Sequence, residues 1–413
     1  MSTPDARRYA VPAAAGANSM STGEFIGLVA MMMSLTAMAV DVMLPALPQI
    51  GEALHVADPN DRQSVVIIYM LGFSVGQLAY GRLSDRYGRR PVLMAGMAIF
   101  IVGSLLASLA TGFGALLAAR AVQGLGAAAP RVLAIAIVRD RFSGRQMARV
   151  MSFAMAIFII IPVLAPAMGQ GVLAFGTWRH VFDLLLVAGV IVAIWAALRL
   201  PETSHTERSG PLPLGQSIRL AIGTPQTIGY GFGGGLVFGS VLAYVASAQQ
   251  VFVDVYDLGA GFPIAFGAIA LTIGTASLTN ARLVEGLGMR RVSHWALAGF
   301  IVLSAVLAAL TYAGLANVVV FIGMMMALFF LFGLVAPNFN ALAMEPQGDN
   351  AGMASSVVGF VSTAAGALAG GIIGHLFNGT VLPLALGFLA LSLLAFAVVV
   401  WIEGPRGVFH PGR

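Results

Sequence analysis

Along this chain, stretches of about twenty apolar residues alternate with short polar clusters. The apolar stretches fall near 23–47, 64–83, 92–111, 113–138, 150–174, 180–200, 226–252, 262–284, 292–313, 317–343, 351–377 and 380–402. A helix needs roughly 20 apolar residues to cross the hydrocarbon core of a bilayer. Within lipid it satisfies its own backbone hydrogen bonds. The pattern therefore predicts an all-α membrane protein with twelve transmembrane helices. Residues 201–225, PETSHTERSGPLPLGQSIRLAIGTP, form the one long polar connection and divide the spans into two groups of six. The expected organisation is a tail at 1–22, a six-helix bundle at 23–200, a linker at 201–225, a second six-helix bundle at 226–403 and a tail at 404–413.

Composition agrees with this picture. The chain is 59% hydrophobic and 9% charged, with a mean hydropathy of +0.91, whereas a soluble domain carries about 25% charged residues. Cysteine is absent, which excludes disulfides, thiolate metal sites and cysteine nucleophiles. The net charge of +5 comes from arginine alone, since none of the 22 basic residues is lysine. Of these, 18 lie in the tails, the linker and the second, fourth and eighth connections, while only Arg62 and Arg179 lie on the opposite side. Arginine-rich connections stay cytoplasmic. Both termini and the linker are thus expected inside, and an even number of spans follows. The positive charge orients the chain in a membrane and gives no reason to expect nucleic acid. The first 22 residues contain no apolar core ahead of a small-residue cleavage site, so they are expected to be a short cytoplasmic tail.

A repeat supports the division into halves. GRLSDRYGRR at 81–90 aligns with ARLVEGLGMR at 281–290 under a shift of 200 residues, pairing Arg82 with Arg282, Asp85 with Glu285, Gly88 with Gly288 and Arg90 with Arg290. Both copies follow an even-numbered span, so the halves run in the same sense. Parallel six-span repeats meeting at a central site are one of the standard transporter plans.

The residues of the first copy carry a family resemblance. GRLSDRYGRRP at 81–91 resembles the loop between spans 2 and 3 of the major facilitator superfamily. DVMLPALPQIG at 41–51, AARAVQGLGAAA at 118–129, APAMG at 165–169 and GDNAGMASSVVG at 348–359 stand in the expected spans. Together they resemble the drug:proton antiporters over the whole chain, most closely the bicyclomycin- and chloramphenicol-resistance branch. The resemblance implies two parallel, pseudo-repeated six-helix bundles in a bacterial inner membrane. It also implies a monomer surrounded by lipid, with protons as the coupling ion and no cofactor, exporting an amphiphilic small molecule by alternating access. No Walker sequence is present to support ATP drive. One rival is a carrier of the same fold exporting a specific metabolite, such as an amino acid or peptide. A more distant rival is a membrane sensor without transport. The span-5 antiporter motif, with Pro162, Pro166 and Gly169, departs from the family pattern by reading Ala165-Pro166-Ala167-Met168-Gly169-Gln170-Gly171. Met33 stands where some relatives have a second acid, and Pro130-Arg131 is an unusual pair inside span 4.

Candidate chemistry is sparse. Asp41 is the only carboxylate well inside a span, and Arg120 and Arg131 are the only cations there. Intramembrane charges cost on the order of 3 kcal/mol or more and therefore face a cavity or a partner. Eleven residues at about 100° each bring Arg131 to within about 20° of Arg120, roughly 16 Å further along. Gln123, Gly124 and Ala127 share that face. Asp41 and Arg120 lie at similar depths, so they can interact directly or through water. Either they form a titrating pair in the transport path, as the resemblance implies, or a fixed ion pair that holds helices together. Met38, Tyr244, Gln249, Asn338 and Asn340 are weaker cavity candidates, as are Gln77 and Gln250. Polar residues among these serve equally well as interhelical hydrogen-bonding groups. Flexible thioethers such as Met38 suit promiscuous apolar binding.

By the same resemblance, Gly81, Arg82, Asp85, Gly88, Arg89 and Arg90 form a latch between the halves, near the positive dipole end of span 11, which starts near Gly352. It is expected to form when the carrier is closed inside and to break on inward opening. Gly72-Phe73-Ser74-Val75-Gly76 matches a hydrolase nucleophile pattern, but that pattern requires a strand–turn–helix context. Gly229-Tyr230-Gly231-Phe232-Gly233-Gly234 matches a dinucleotide pattern that requires a preceding strand. Both lie in apolar helical segments, where close helix packing accounts for the glycines. The six histidines show no metal-ligand spacing, and only His375, near the end of span 11, draws attention.

Overall fold

The computed structural model describes residues 20–203 and 213–407. These residues form helices α1 (Thr22–Asp41), α2 (Leu47–Ala53), α3 (Ser64–Tyr87), α4 (Arg89–Ser108), α5 (Phe113–Arg141), α6 (Gly144–Phe175) and α7 (Trp178–Arg199) in the first half. The second half contains α8 (Leu214–Gly223), α9 (Pro225–Gln249), α10 (Phe262–Leu287), α11 (Met289–Tyr312), α12 (Val318–Met344), α13 (Ala351–His375) and α14 (Leu382–Gly407). Among the described residues there is no strand, and twelve helical segments are long and apolar enough to cross a bilayer. Consecutive spans are antiparallel, so Met20 and the end of α14 lie at one end of the bundle, the terminal end.

The first span is not the unbroken helix expected over 23–47. The last α-type bond runs from Val42 N to Met38 O, and a 3-10 turn at Leu44–Ala46 leads into α2. Pro45 has no N–H to give, and its ring would clash with the carbonyl four residues back, that of Asp41. The helix therefore ends on the intramembrane carboxylate. Gly169 of α6 sits against this break, where an added Cβ would run into the Val42 carbonyl oxygen. α6 itself continues through Pro162 and Pro166 without a stop.

The charged stretch 81–91 is also more ordered than a loop. α3 runs to Tyr87, α4 starts at Arg89, and only Gly88 leaves the helical path. Its φ of +94° lies in the left-handed region, which glycine enters without steric cost. The second copy repeats the device at Gly288, φ +79°, between α10 and α11. The polar linker likewise contains a helix, α8. Ser217 and Ala221, four residues apart on one face, are buried, while Arg219 and Leu220 point outward. Ala221 packs with Ala354 and Val357 of α13, and Leu78 of α3 joins them.

Helix association in lipid depends on close packing and hydrogen bonds, because the tails are as apolar as leucine. The glycine patterns serve that end. Gly72 meets the backbone of α5 at Ala121, and Gly76 meets α5 at Leu125 and Ala128. Gly229 lies against Ile402 of α14 and Gly235 against Ser362 of α13. Within the first half α3 and α4 pack on α5, and within the second α13, α12 and α14 pack on α9. The halves meet chiefly along α3–α13 and α6–α10.

Candidate transport site

Asp41 lies at the end of α1 with 6% of its surface exposed. Among the described residues no ion pair and no hydrogen bond reaches its carboxylate. Two phenols, Tyr69 of α3 and Tyr244 of α9, stand within electrostatic reach of it. Tyr69 donates from its hydroxyl to Thr36 O at 3.3 Å. Tyr244 is fully buried among Phe252, Phe266 and Phe329, and its hydroxyl has no partner among the described residues.

Arg120 is fully buried and does not pair with Asp41. Its guanidinium lies 4.3 Å from the Tyr69 ring centre and 5.8 Å from that of Phe182. Nε donates to Val65 O at 3.0 Å, and Nη1 donates to Gln123 Oε1. Gln123 in turn donates to Ser104 Oγ at 2.8 Å, while Arg120 Nη2 has no partner among the described residues. Tyr69 is thus the shared neighbour: its ring faces the cation, and it also senses the acid. Arg131 does not join this group. Its side chain reaches α6, with the guanidinium 5.3 Å from the Phe158 ring centre. The residue spacing aligns the two Cα atoms, but the long side chains turn to different neighbours.

The weaker candidates separate by role. Met38 is buried core, and Gln249 is buried near Asp254. Asn338 is buried and donates to Asn280 Oδ1 and to Leu334 O, each at 2.7 Å, tying α12 to α10. Asn340 is exposed and lines a cavity of about 200 Å³ together with Tyr230, Phe238, Phe332, Phe339 and Thr363. Gln77 bridges the halves beside it, donating to Thr363 Oγ1 at 2.9 Å and to Gly359 O at 3.3 Å.

The end opposite the termini is sealed by amides that the sequence analysis largely overlooked. Gln63 donates to Gln250 Oε1 at 2.6 Å and to Gly374 O at 3.0 Å. Gln250 donates to Asn60 Oδ1 at 3.0 Å. Asn60 donates to Phe377 O at 2.7 Å and to His375 O at 3.1 Å. His375 also lies 3.5 Å from Asp61. Asn60 and Gln63 sit just before a long apolar run, a polar edge that could have marked them as joint residues.

At the terminal end the charged motif closes within its own half. Arg89, with its side chain 5% exposed, binds Asp85 at 2.6 Å and Asp140 of α5 at 2.8 Å, and it donates to Ser84 Oγ at 2.6 Å. The backbone N–H groups of Arg89 and Arg90 donate to the Glu202 carboxylate at 2.8 and 3.1 Å, while Arg90 also donates from its side chain to Ala197 O. The Asp85 side chain is 59% exposed, and among the described residues no ion pair or hydrogen bond joins it to α13. Gly81 approaches α13 at Ser356. Arg82 makes no ion pair among the described residues. Asp140 and Glu202 were not singled out from the sequence, because each looks like an ordinary loop charge. In the second half Arg290 binds Glu345 at 2.7 Å and Glu403 at 2.9 Å. Each half thus holds an arginine of this region with acids from neighbouring segments, although under the 200-residue shift Arg290 corresponds to Arg90 and Arg89 to Met289.

The Major Facilitator Superfamily model matches residues 29–370. The chain belongs to that superfamily. It is 31% identical over 355 residues to an uncharacterized MFS-type transporter of Bacillus subtilis, YdgK, covering 84% of this chain and 87% of that one. It is 28% identical over 374 residues to a bicyclomycin resistance protein homolog of Haemophilus influenzae, covering 88% and 92%. A multidrug resistance protein of Escherichia coli, MdtL, is 36% identical over 164 residues, 40% of this chain and 42% of MdtL. The fold is shared with a D-xylose-proton symporter, TM-score 0.75 at 14% identity, covering 92% of this chain and 97% of that one. The chain is thus a multi-pass carrier and not an enzyme, and the bicyclomycin-resistance resemblance is matched by a relative over nine tenths of its length.

Proposed function

We propose that the carrier exports amphiphilic small molecules from the bacterial cytoplasm in exchange for protons, with both termini inside and Asp41 as the coupling acid. The observation that carries the reading is the state of Asp41. It is buried at a helix break within electrostatic reach of two phenols, and among the described residues no cation pairs with it. A carboxylate locked to Arg120 would be a fixed strut, whereas one with no fixed partner is available to exchange a proton. Arg120 modulates it through Tyr69, whose movement would let cation and acid approach. The substrate class rests on the drug-resistance names of the relatives and on the aromatic and thioether character of the interior. In this reading, a closed amide seal at one end and a motif acid not docked on α13 at the other belong to the inward-facing half of the cycle.

The test is accumulation driven by a pH gradient in everted vesicles, using ethidium and tetraphenylphosphonium beside a panel of amino acids and peptides. Asp41→Asn is isosteric and cannot titrate, so it is expected to lose proton-driven accumulation while remaining inserted. Full proton-coupled accumulation by that variant would overturn the assignment. Accumulation of a metabolite with no response to the cations would move the substrate class and leave the coupling intact.

A further inference from the structure

The coupling at Asp41 leaves the second intramembrane arginine without a task. Among the described residues no hydrogen bond and no ion pair reaches the Arg131 guanidinium, and its Nη1 is buried without a partner. Its neighbour is a ring, that of Phe158 on α6, with 5.3 Å between guanidinium and ring centre. Arg120 differs, since Val65 O and Gln123 hold it. A guanidinium stays charged in a protein and presents five donors in a planar fork. A single ring leaves that fork unused. An unpaired charge at this depth is costly, and such a charge marks a partner or a path.

The acids on the surrounding helices are held elsewhere. α6 carries no carboxylate from Gly144 to Phe175, and α4 none from Arg89 to Ser108. On α1, Glu24 is bound by Arg199 at 2.7 Å. Asp140 of α5 and Asp85 of α3 are bound by Arg89 at 2.8 and 2.6 Å. Asp41 remains. Thr36 donates to Ala127 O at 3.3 Å, which fixes how α1 lies along α5. Asp41 is five residues beyond Thr36 in one direction and Arg131 four beyond Ala127 in the other, so about 14 Å of helix separates them. Among the described residues the first half thus holds a fixed cation with no anion of its own.

Arg131 is directed to the side of α5 where the second half stands. α4 packs on the far side, where Gly126 meets Phe100 and Ala129 meets Gly96. α3 covers Ala121, Leu125 and Ala128, and α1 reaches Ala127. At about 100° per residue, Arg131 leaves α5 between the directions of Ala128 and Ala127, away from α4. α3 and α6 are the helices of this half that meet α13 and α10 of the other. Phe158 is turned about 140° from the outward face of α6 that Phe153, Ile160 and Leu164 form. One turn along α5, Ile135 is 40% exposed, and Arg131 itself is partly exposed, so the place opens toward the terminal end. In the second half Phe238 and Phe332 line the 200 Å³ cavity with their rings stacked, 6.3 Å between centres. Phe332 stands roughly 18 Å from the terminal end of α12 and Arg131 roughly 15 Å from that of α5. An aromatic wall and a free cation therefore lie at similar depth in the two halves.

We propose that Arg131 is an anion subsite of the transport path, taking the carboxylate of an amphiphilic substrate whose aromatic part lies against the Phe238–Phe332 wall. A carboxylate accepts two parallel N–H bonds from a guanidinium, and it neutralises the unheld charge. No hydrogen bond has to break for it to bind. The proposal rests on the carrier reading and adds a preference to it: amphiphiles with a carboxylate gain a contact that neutral and cationic ones lack.

Binding of tritiated naphthylacetate is measured on the full-length protein in detergent, with no pH gradient. Its neutral amide and the cationic naphthylethylamine serve as competitors. The parent is expected to bind the carboxylate at least tenfold more tightly than the amide or the amine. Arg131→Met should abolish that preference, weakening the carboxylate at least tenfold and leaving the amide within twofold. Arg131→Lys keeps the charge without the fork and should retain part of the preference, at least threefold below the parent. No saturable carboxylate binding up to about 1 mM, equal affinity for carboxylate and amide in the parent, or equal losses of both in Arg131→Met would each overturn the proposal. Where Arg131→Met is not monodisperse in gel filtration, the parent and Arg131→Lys decide, and a preference that Arg131→Lys leaves whole would overturn it. Displacement by phosphatidylglycerol as readily as by unlabelled naphthylacetate would make this a lipid-headgroup site and overturn it too. Proton-driven accumulation in a parent that shows no carboxylate preference would sink the subsite alone, whereas the preference without accumulation would sink the coupling alone.

Discussion

Asp140 is expected to matter more to the stability of the first half than Asp85, the acid that dominates the motif by eye. Arg89 is held by both, but in different surroundings. The Asp140 and Arg89 side chains are 6% and 5% exposed, whereas that of Asp85 is 59% exposed. Breaking a buried ion pair by removing one partner costs about 3–5 kcal/mol, because the remaining charge is left uncompensated. Asp85 stays at 2.6 Å from Arg89 and offsets part of this, which leaves about 2 kcal/mol for Asp140→Asn. That is roughly a thirtyfold change in the ratio of folded to unfolded protein. An exposed pair contributes about 0.2–1 kcal/mol, so Asp85→Asn should fall at or below that range. A cooperative unit the size of one bundle loses roughly 2–4 °C per kcal/mol. Thermal melting of the purified variants in detergent should therefore drop by about 4 °C or more for Asp140→Asn and by clearly less for Asp85→Asn. Equal losses, or a larger loss for Asp85→Asn, would refute the burial argument.

Gly169→Val should prevent α6 from closing on the break after Asp41, because its Cβ would meet the Val42 carbonyl; the yield of monodisperse protein in gel filtration should fall sharply, while Gly171→Val, which meets nothing nearby, should not. Asp85→Asn should leave the protein inserted but slow transport and favour inward opening, since the motif's acid can no longer dock at the start of α13; cysteine crosslinking across the terminal end measures this, and unchanged crosslinking with unchanged transport would reduce the motif to a topology signal. Tags at position 206 and at the C-terminus should both report cytoplasmic, in keeping with the arginine distribution, and an external signal from either would overturn the orientation.

The sequence made the helices and the halves legible because a bilayer leaves few options: twenty apolar residues must be a span, and arginine-rich connections must share a side. Asp41 was legible for the same reason, as a lone acid in an apolar segment. What did not follow was pairing. Asp41 and Arg120 were placed at matching depth, yet rotation about the helix axes puts Tyr69 beside the cation and in reach of the acid, and one-dimensional spacing carries no such angle between separate helices. The break after Asp41 could have been read from Pro45 and Pro48. The helix within 201–225 was hidden by the prolines and glycines around it. Asn338 and Asn340 looked equivalent, but with about 200° of helix rotation between them, one ties α12 to α10 and the other faces the cavity.

The joint at the end away from the termini has an electrical consequence. Asn60, Gln63 and Gln250 hold the halves together through neutral amides and backbone carbonyls, and the titratable pair Asp61 and His375 beside them is solvent-exposed. Moving one elementary charge across a membrane changes its energy by about 2.3 kcal/mol per 100 mV. Parting amides moves no net charge, so a transmembrane voltage has almost no purchase on this joint, and added salt has little to screen. The opening rate of that side should be nearly flat with applied potential. Whatever current the full cycle carries must then enter through the groups that bind protons and through any charge on the transported molecule.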